Sequence, residues 1–273
     1  MELVGLWRYP VKSMQGERLN QARVERSGIA GDRRWGLRDL RTGRILTARR
    51  RPELLEAAAS YDKDVPIITF PGGGIGEGPG PRTDKLLSEW TGHPVSLVSS
   101  VDSEPGRAEF FADATDDSSQ AIEWTMPASR FVDAAPLLVL TSASLRTAAG
   151  LHPDGDWDPR RFRPNLLIDL DGDGWVEDQW IGQPLRVGSV TLVATERCVR
   201  CTMVTRAQPG LQADVDIFRS LARHHGGLFG VWSDVLSVGS LSLGDPASLI
   251  VQRSTTDPAD PTRAPTSDRR RGS

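Results

Sequence analysis

Two cysteines three positions apart, Cys198 and Cys201, are the strongest chemical signal in this sequence, and they directly follow a segment with strand-like alternation. Four alternatives account for such a pair: half of a zinc site, a thioredoxin-like redox pair, two buried thiols, or a thiolate that ligates a soft redox metal. Zinc needs two further ligands, and the four histidines show no paired ligand spacing. A redox pair would begin a helix, whereas residues 202–205 are predicted to continue as strand or loop. Arg197 and Arg200 would favour a thiolate through their positive charge.

Cationic, hydroxyl and amide side chains form two further clusters. Lys12, Ser13 and Arg33 lie at the ends of predicted strands, and Arg163 and Asn165 flank a proline. A lysine binds an anion as a point charge, and an arginine binds it as a two-pronged fork. Residues of the first cluster can therefore converge on one phosphate group, while an asparagine offers both amide donors and an acceptor.

The composition excludes several classes of protein. The chain has 273 residues and a formal net charge of -3, which excludes an overall basic nucleic-acid binder. Two cysteines are too few for a disulfide scaffold or for an iron–sulfur cluster, which takes about four ligands. No apolar run approaches the roughly 18 to 20 residues of a membrane span, and the first residues lack the pattern of a secretory signal. We therefore expect a cytoplasmic protein that has no membrane span and keeps its thiols reduced.

Short strands broken by glycine turns predict a β-rich fold, with a small barrel in the first half. The strands are predicted over 3–9, 35–40, 65–70, 95–98, 136–140, 162–170, 185–195, 229–236 and 248–251. Helices are predicted over 83–91, 142–149 and 215–225, each followed by a glycine. Residues 99–120 are polar, acidic and irregular, which is typical of a connection between domains. Residues 253–273 are rich in Pro, Asp and Arg without apolar periodicity and are predicted to be a disordered tail.

Six motifs occur in an order that resembles the MOSC family. They are Tyr9-Pro10-Val11-Lys12-Ser13, Gly31-Asp32-Arg33-Arg34-Trp35, Leu46-Thr47-Ala48-Arg49, Arg161-Phe162-Arg163-Pro164-Asn165, Cys198-Val199-Arg200-Cys201 and Gly244-Asp245-Pro246. More closely, the chain is similar to the branch that includes the mitochondrial amidoxime reducing component. This resemblance implies a mixed, β-rich α+β fold. A small N-terminal β-barrel domain over 1–120 would precede a MOSC β-barrel domain with short helices over 121–252.

The resemblance also implies a molybdenum cofactor (molybdenum–molybdopterin), whose metal is held by the dithiolene of a pterin that carries a phosphate. In this family the second cysteine of the pair ligates the metal, and the matching residue here is Cys201. A soft, anionic thiolate suits a redox-active metal. Contacts to the cofactor are expected from Lys12, Ser13, Arg33, Thr141, Ser142, Arg163, Asn165, Cys198, Arg200 and Trp232.

The activity that the resemblance implies is the reduction of small N-hydroxylated or otherwise N-oxygenated compounds, with Cys201 as the catalytic residue. Because two cysteines cannot hold an iron–sulfur cluster and no flavin fingerprint occurs, the electrons would come from a separate protein of the ferredoxin, flavoprotein or cytochrome type. Val199 and Trp232 stand where that branch has a serine and a tyrosine, and we expect them to affect substrate range more than cofactor binding.

Two alternatives from other classes remain. MOSC domains also occur fused to a pyridoxal-phosphate sulfurase, so the chain could instead be a carrier of the molybdenum cofactor or of sulfur, without turnover of its own. The other alternative is a binding barrel that holds no cofactor.

Overall fold

The computed structural model describes residues 1–127 and 129–250, and strands dominate them. The strands are β1 (Glu2–Arg8), β2 (Glu17–Arg18), β3 (Gln21–Glu25), β4 (Gly28–Ile29), β5 (Trp35–Asp39), β6 (Ala58–Asp62), β7 (Val65–Thr69), β8 (Ile75–Glu77), β9 (Val95–Ser99), β10 (Arg107–Phe111), β11 (Ala121–Thr125), β12 (Leu137–Thr141), β13 (Leu166–Asp169), β14 (Pro184–Val187), β15 (Val190–Val199), β16 (Leu228–Ser237), β17 (Gly239–Ser242) and β18 (Ala247–Leu249). The α-helices are α1 (Pro81–Thr91), α2 (Ser142–Leu151) and α3 (Val215–His225), and short 3-10 helices cover Pro52–Glu56, Pro159–Arg161, Val176–Trp180 and Thr202–Thr205. The prediction of a mixed, β-rich α+β fold is confirmed.

One eight-stranded sheet combines the two ends of the chain. Its order is β18-β14-β15-β16-β12-β13-β1-β2, and within it β12 and β13 are the parallel pair. The backbone N–H of Trp7 donates to the carbonyl of Asn165 at 2.9 Å, so the end of β1 lies beside the start of β13. The segment around Lys12 is thereby brought next to the segment around Arg163, although about half of the chain separates them. The predicted domain limits 1–120 and 121–252 remain predictions, and this sheet contains strands from both ranges.

A second core fixes the loop that follows β1. Helix α1 ends at Gly92, which adopts the left-handed conformation (φ 64°) that favours glycine. The helix buries Leu87 in a cluster that also contains Val11 and Met14. Because these two residues flank Lys12 and Ser13 in the chain, the packing of α1 holds that pair in place.

The predicted helices are present, with two changes of length: α1 begins at Pro81, two residues before the predicted start, and α2 ends later than predicted. The structure confirms the helices predicted over 83–91 and 215–225, and each ends at a left-handed glycine. Helix α2 starts at Ser142 as predicted, with the Thr141 hydroxyl accepting the Ser144 N–H as its N-terminal cap. It continues past Gly150 to Leu151, so the predicted end was too early.

Four local predictions were wrong. The strand predicted over 185–195 is a pair of antiparallel strands, β14 and β15, joined by a turn at Gly188. The strand predicted over 162–170 is limited to β13, because the 3-10 helix Pro159–Arg161 and Pro164 precede it. Thr202–Thr205 forms a 3-10 helix rather than strand or loop. Residues 99–120 are not irregular throughout, since they contain β10, which forms a hairpin with β11.

The tail predicted over 253–273 lies outside the described residues. In the described part of the chain, no helix combines the length and the apolar character that crossing a membrane requires.

Candidate active site

A cavity of about 650 Å³ lies where the loop after β1, the β10–β11 hairpin, the segment before β12 and the end of β15 meet. Most of the predicted site residues line it, although they come from distant parts of the sequence. Those lining residues are Lys12, Ser13, Arg33, Arg163, Asn165, Cys198, Arg200, Cys201 and Trp232. Among the described residues, six Lys or Arg side chains and two acidic ones face this cavity, so it favours an anionic ligand.

Two arginines meet at the aromatic ring of Tyr9. The guanidinium carbons of Arg33 and Arg163 lie 4.7 and 4.4 Å from its centroid, and the Tyr9 hydroxyl donates to the Pro164 carbonyl at 3.0 Å. Arg33 is paired with the buried carboxylate of Asp32 at 2.5 Å. Burial and the nearby Arg33 lower the pKa of Arg163 to about 10. The Arg163 charge is therefore poorly compensated, and an anion bound in the cavity would stabilise it.

The buried side chain of Lys12 forms an ion pair with the exposed carboxylate of Asp133, which lines the same cavity. Its Nζ donates to Asp133 Oδ1 at 2.5 Å and to the Phe131 carbonyl at 3.1 Å. The Lys12 side chain is 7% exposed, whereas that of Asp133 is 67% exposed because it faces the open cavity. The surrounding protein atoms raise the pKa of Asp133, but the charge and hydrogen bond of Lys12 and the charges of Arg33 and Arg163 together lower it by more, so the carboxyl titrates below its ordinary range.

Backbone strain is concentrated at this site. Ser13, Arg33 and Arg163 have positive φ angles of 70°, 47° and 55°, in the region that favours glycine. Lys63 is the remaining non-glycine residue of this kind in the part of the chain that the structure describes. Such conformations cost about 1–3 kcal/mol each and persist because contacts with the surrounding structure hold them. At Ser13 one such contact is the hydrogen bond that its hydroxyl accepts from the Ala48 N–H at 2.9 Å. Three strained residues around one cavity indicate that the positions of their side chains are maintained at a cost in local stability.

The two cysteines differ in access to the cavity. Cys198 is 2% exposed, and burial raises the pKa of its thiol to about 11. Cys201 is partly exposed at the start of the 3-10 helix Thr202–Thr205. Burial also raises the pKa of the Cys201 thiol, and the Met203 backbone amide and Arg49 offset part of that effect. Both cysteines line the cavity, and Cys201 has the more accessible sulfur.

Arg200 carries a buried donor that has no partner among the described residues. Its Nε donates to the Phe229 carbonyl at 2.9 Å and its backbone N–H to the Gly227 carbonyl at 2.8 Å, but Nη2 makes no hydrogen bond. An unsatisfied buried donor costs about 1–3 kcal/mol. Since Arg200 lines the cavity, an anionic oxygen bound there would give Nη2 its acceptor.

These features fit a metal that arrives in an anionic organic cofactor. Within residues 1–127 and 129–250, no group of three His, Cys, Asp or Glu side chains is placed to hold a metal ion. A metal bound at Cys201 must therefore bring most of its ligands with it, as molybdenum in a pterin dithiolene does. The poorly compensated Arg163 and the free Arg200 donor match the phosphate of such a cofactor.

Comparison with protein families agrees with this arrangement. The model described as the MOSC N-terminal beta barrel domain matches residues 1–89, and the model described as the MOSC domain matches residues 127–248. The chain belongs to the MOSC family.

Curated relatives of this MOSC protein include two reductase components. Mitochondrial amidoxime reducing component 2 of Bos taurus is 25% identical over 293 residues, which cover 90% of this chain and 82% of the relative. Mitochondrial amidoxime-reducing component 1 of Homo sapiens is 26% identical over 292 residues with the same coverage. Among solved structures, the YUAD protein from Bacillus subtilis matches with a TM-score of 0.46 and 12% identity, covering 90% of this chain and 93% of that one.

Thr141 and Ser142 require a correction to the predicted site, because the structure places both outside the residues that line the cavity of this MOSC protein. The Thr141 side chain is fully buried, where its hydroxyl donates to Glu177 Oε2 at 2.6 Å and caps α2. The Ser142 hydroxyl is hydrogen-bonded to the backbone of Leu170. Both hydroxyls thus complete the strand-to-helix turn and leave no group for a ligand in the cavity.

Asn165 lines the cavity of the MOSC protein but acts through a neighbour. Its Oδ1 accepts the Leu138 N–H at 3.1 Å and Arg33 Nη1 at 3.2 Å, and its Nδ2 donates to the Trp7 carbonyl at 3.3 Å. The side chain is 1% exposed, and both polar atoms are engaged. Asn165 therefore orients Arg33 toward the cavity.

Several lining residues were missed by the reasoning from sequence. Among them are Arg49, Phe110, Phe111, Trp124 and Asp133. A signal existed for the hairpin residues, because Ala108 and Phe110 and then Ile122 and Trp124 alternate with polar residues. No local pattern identifies Asp133, whose role follows from its contact with Lys12.

Asp117, in the loop between β10 and β11, ties the hairpin to the segment that follows Cys201. Its carboxylate accepts from Arg49 Nε at 2.6 Å, from the Thr202 hydroxyl at 2.8 Å and from Arg206. The Thr202 N–H also donates to the Ala114 carbonyl at 3.2 Å. The loop is thus fastened to the residue next to the candidate metal ligand.

We expect Asp117→Asn to lower the melting temperature at pH 7 by about 2–4 °C, which corresponds to about 1 kcal/mol in a protein of this size. Burial raises the pKa of Asp117, but the hydrogen bonds from Arg49 and Thr202 and the charges of Arg49 and Arg206 together lower it by more, so the folded-state pKa lies below the unfolded one. The charge therefore stabilises the fold above pH ~4 and loses that effect as the pH falls through the folded value. Urea unfolding of both proteins between pH 7 and pH 3 should show the difference shrinking toward acid.

Asp116→Asn is the matched control, because the Asp116 carboxylate accepts from Ser118 within the same loop. Arg49 reaches only the backbone carbonyl of Asp116, at 3.2 Å, and the substitution keeps that contact. It should show a smaller loss that does not depend on the bond to Arg49. A difference between wild type and Asp117→Asn that stays constant down to pH 3 would contradict the ion-pair explanation.

Proposed function

We propose that this MOSC protein is a molybdenum-cofactor-dependent reductase of small N-hydroxylated compounds. The observation that carries the proposal is that one accessible thiol, Cys201, lines the same cavity as a cationic cluster in which the Arg163 charge is poorly compensated. The names of the curated relatives, which are amidoxime reducing components, support the choice of substrate class.

Specific residues would hold the two ends of the cofactor. Arg163, Arg33 and Arg200 would bind the phosphate, with Lys12 as a further positive charge and Asn165 orienting Arg33. The Cys201 sulfur would ligate the molybdenum. The strained backbone at Arg33 and Arg163 keeps their guanidinium groups in place before the cofactor arrives, which reduces the ordering needed on binding.

When bound, the cofactor supplies the two-electron chemistry by which an N–OH group becomes N–H, while the oxygen leaves as water and two protons are consumed. The chain contributes an ion pair that can hold a proton and an apolar part of the cavity wall. The Asp133 carboxylate faces the open cavity and is hydrogen-bonded to Lys12 Nζ, so this pair can hold a proton beside the substrate. Val132 and Phe162 are buried in the cavity wall and limit the access of water.

The electrons must come from another protein. The chain has two cysteines, which are too few for an iron–sulfur cluster, and its sequence carries no dinucleotide fingerprint. We propose an electron-transfer partner of the ferredoxin, flavoprotein or cytochrome type, so the purified protein should depend on an artificial reductant.

The test is the reduction of benzamidoxime to benzamidine by protein produced with molybdenum cofactor, with dithionite-reduced viologen as the electron source. We expect turnover that requires the cofactor and is missing from protein produced in a host unable to make it. Bound molybdenum without turnover would contradict the reductase proposal and favour a carrier of cofactor or sulfur. Protein that takes up no molybdenum would contradict both and favour a binding barrel.

A further inference from the structure

The β10–β11 hairpin lies between the segments that match the two MOSC family models, which end at residue 89 and begin again at residue 127. Its register pairs Phe110 with Ile122 and Ala108 with Trp124. Because side chains alternate across a strand, these four residues share one face of the hairpin. The hairpin therefore lies outside the residues that either family model matches.

The opposite face of the hairpin is fastened to the N-terminal half by charge. Arg44 pairs with Glu109 at 2.8 Å and with Glu123 at 3.1 Å, and Arg50 also pairs with Glu109. Phe111 is buried, with the guanidinium of Arg50 4.4 Å from its ring centroid. These contacts fix the orientation of the hairpin, so that its apolar face is presented in a defined direction.

Ala108 is buried, whereas the three large side chains of the apolar face are exposed, and two of them reach the cavity. Phe110 and Trp124 are 54% and 44% exposed, and both line the cavity that contains Cys201. Ile122 is 53% exposed on the same face but does not line it. Large aromatic side chains that stay half exposed at a cavity edge are available to pack against a bound molecule.

The hairpin lies at the Cys201 end of the cavity. The Ala114 carbonyl at its tip accepts the Thr202 N–H, and Asp117 accepts the Thr202 hydroxyl. The cationic cluster around Arg33 and Arg163 is held by other contacts, with the Tyr9 ring and with Asn165 and not with the hairpin. With the cofactor phosphate at the cationic cluster and its metal at Cys201, the free space next to the metal is the space that the hairpin borders.

We propose that Phe110 and Trp124 form an aromatic clamp that selects N-oxygenated substrates with a planar, apolar body, such as an aryl group, over small polar ones. The proposal rests on the reductase function given above for its substrate orientation. A phenyl ring packs against two aromatic side chains through a large apolar area, whereas a methyl group leaves most of that area in water. The clamp therefore binds the planar, apolar body of the substrate, while the reacting N–O group lies at the metal end of the cavity.

The test compares benzamidoxime with acetamidoxime, which share the reacting group and differ in phenyl against methyl. For Phe110→Ala and Trp124→Ala we expect kcat/KM for benzamidoxime to fall about tenfold through KM, and kcat/KM for acetamidoxime to stay within about twofold. Ile122→Ala is the matched control, because Ile122 lies on the same face with similar exposure but does not line the cavity. It should leave the ratio of kcat/KM for benzamidoxime to kcat/KM for acetamidoxime within about twofold of wild type.

A binding measurement separates this proposal from the reductase function. The amidines, benzamidine and acetamidine, carry the same bodies without a reducible group, and their affinities can be titrated without turnover. If wild type reduces neither amidoxime but both clamp variants bind benzamidine about tenfold more weakly, the reductase proposal fails and the clamp stands. Two results would refute the clamp. In the first, wild type reduces both amidoximes, and the clamp variants keep both its ratio of kcat/KM for benzamidoxime to kcat/KM for acetamidoxime and its affinity for benzamidine. In the second, Ile122→Ala loses as much of that ratio as the clamp variants do.

Discussion

Replacing Cys201 with serine is expected to lower viologen-coupled benzamidoxime reduction by more than about a hundredfold. Loss of a partner outside the ligand shell typically costs 10–100-fold in metal affinity or activity, and loss of the ligand itself should cost more. A serine hydroxyl is neutral at pH 7 and a harder donor than a thiolate, so it is a poor substitute toward a soft redox metal. The measurement is kcat per chain, together with molybdenum per chain and the thermal unfolding curve, which should show a folded variant.

Cys198→Ser is the matched control within the same pair. Cys198 is almost fully buried, so the new hydroxyl lies in an apolar environment and should destabilise the fold by about 1–3 kcal/mol. Activity per bound molybdenum should nevertheless stay within a few-fold of wild type. The reverse pattern, with an active Cys201→Ser and an inactive but folded Cys198→Ser, would show that the ligand has been assigned to the wrong sulfur.

Arg163→Met is expected to reduce the affinity for the cofactor by about 10- to 100-fold, because it removes charge-assisted hydrogen bonds of about 1.5–3 kcal/mol. The protein without cofactor should change little in stability. Burial and Arg33 disfavour the Arg163 charge, so removing it relieves repulsion while losing the 2.5 Å hydrogen bond to the Met14 carbonyl. The measurement is pterin and molybdenum per chain, set beside the melting temperature of the cofactor-free form.

Arg160→Met is the control for this second prediction. Arg160 lies three positions earlier, pairs with Asp158 and is not among the residues that line the Cys201 cavity. Its replacement should leave the cofactor content unchanged. Wild-type cofactor content in Arg163→Met, or an equal loss in Arg160→Met, would refute a specific role of Arg163 in holding the phosphate.

Much of the fold follows from local signals in the sequence. Helices α1 and α3 end where Gly92 and Gly226 adopt the left-handed conformation, which a sequence pattern of apolar residues followed by glycine identifies. Residues 107–125 were harder, because each strand of the hairpin has five residues and a polar loop separates them. What holds this hairpin is a set of arginine–glutamate pairs with distant residues, which no local pattern reveals.

The candidate site divides in the same way. Lys12, Arg33, Arg163 and Cys201 carry residue types that imply an anion and a soft metal, and the fold brings them into one cavity. Thr141 shows where this reasoning fails. A hydroxyl at the start of a helix can bind an anion or cap the helix, and the choice here depends on Glu177, which is 36 positions away in the sequence.

Molybdenum-edge X-ray absorption on cofactor-loaded wild type and Cys201→Ser tests the proposed centre most directly, since it counts the sulfur atoms bound to the metal. We expect the wild-type protein to show one sulfur neighbour more than the variant, beyond the two from the pterin dithiolene. Equal sulfur counts in the two loaded proteins would mean that the metal does not bond to this thiolate, and the proposed centre would have to be abandoned.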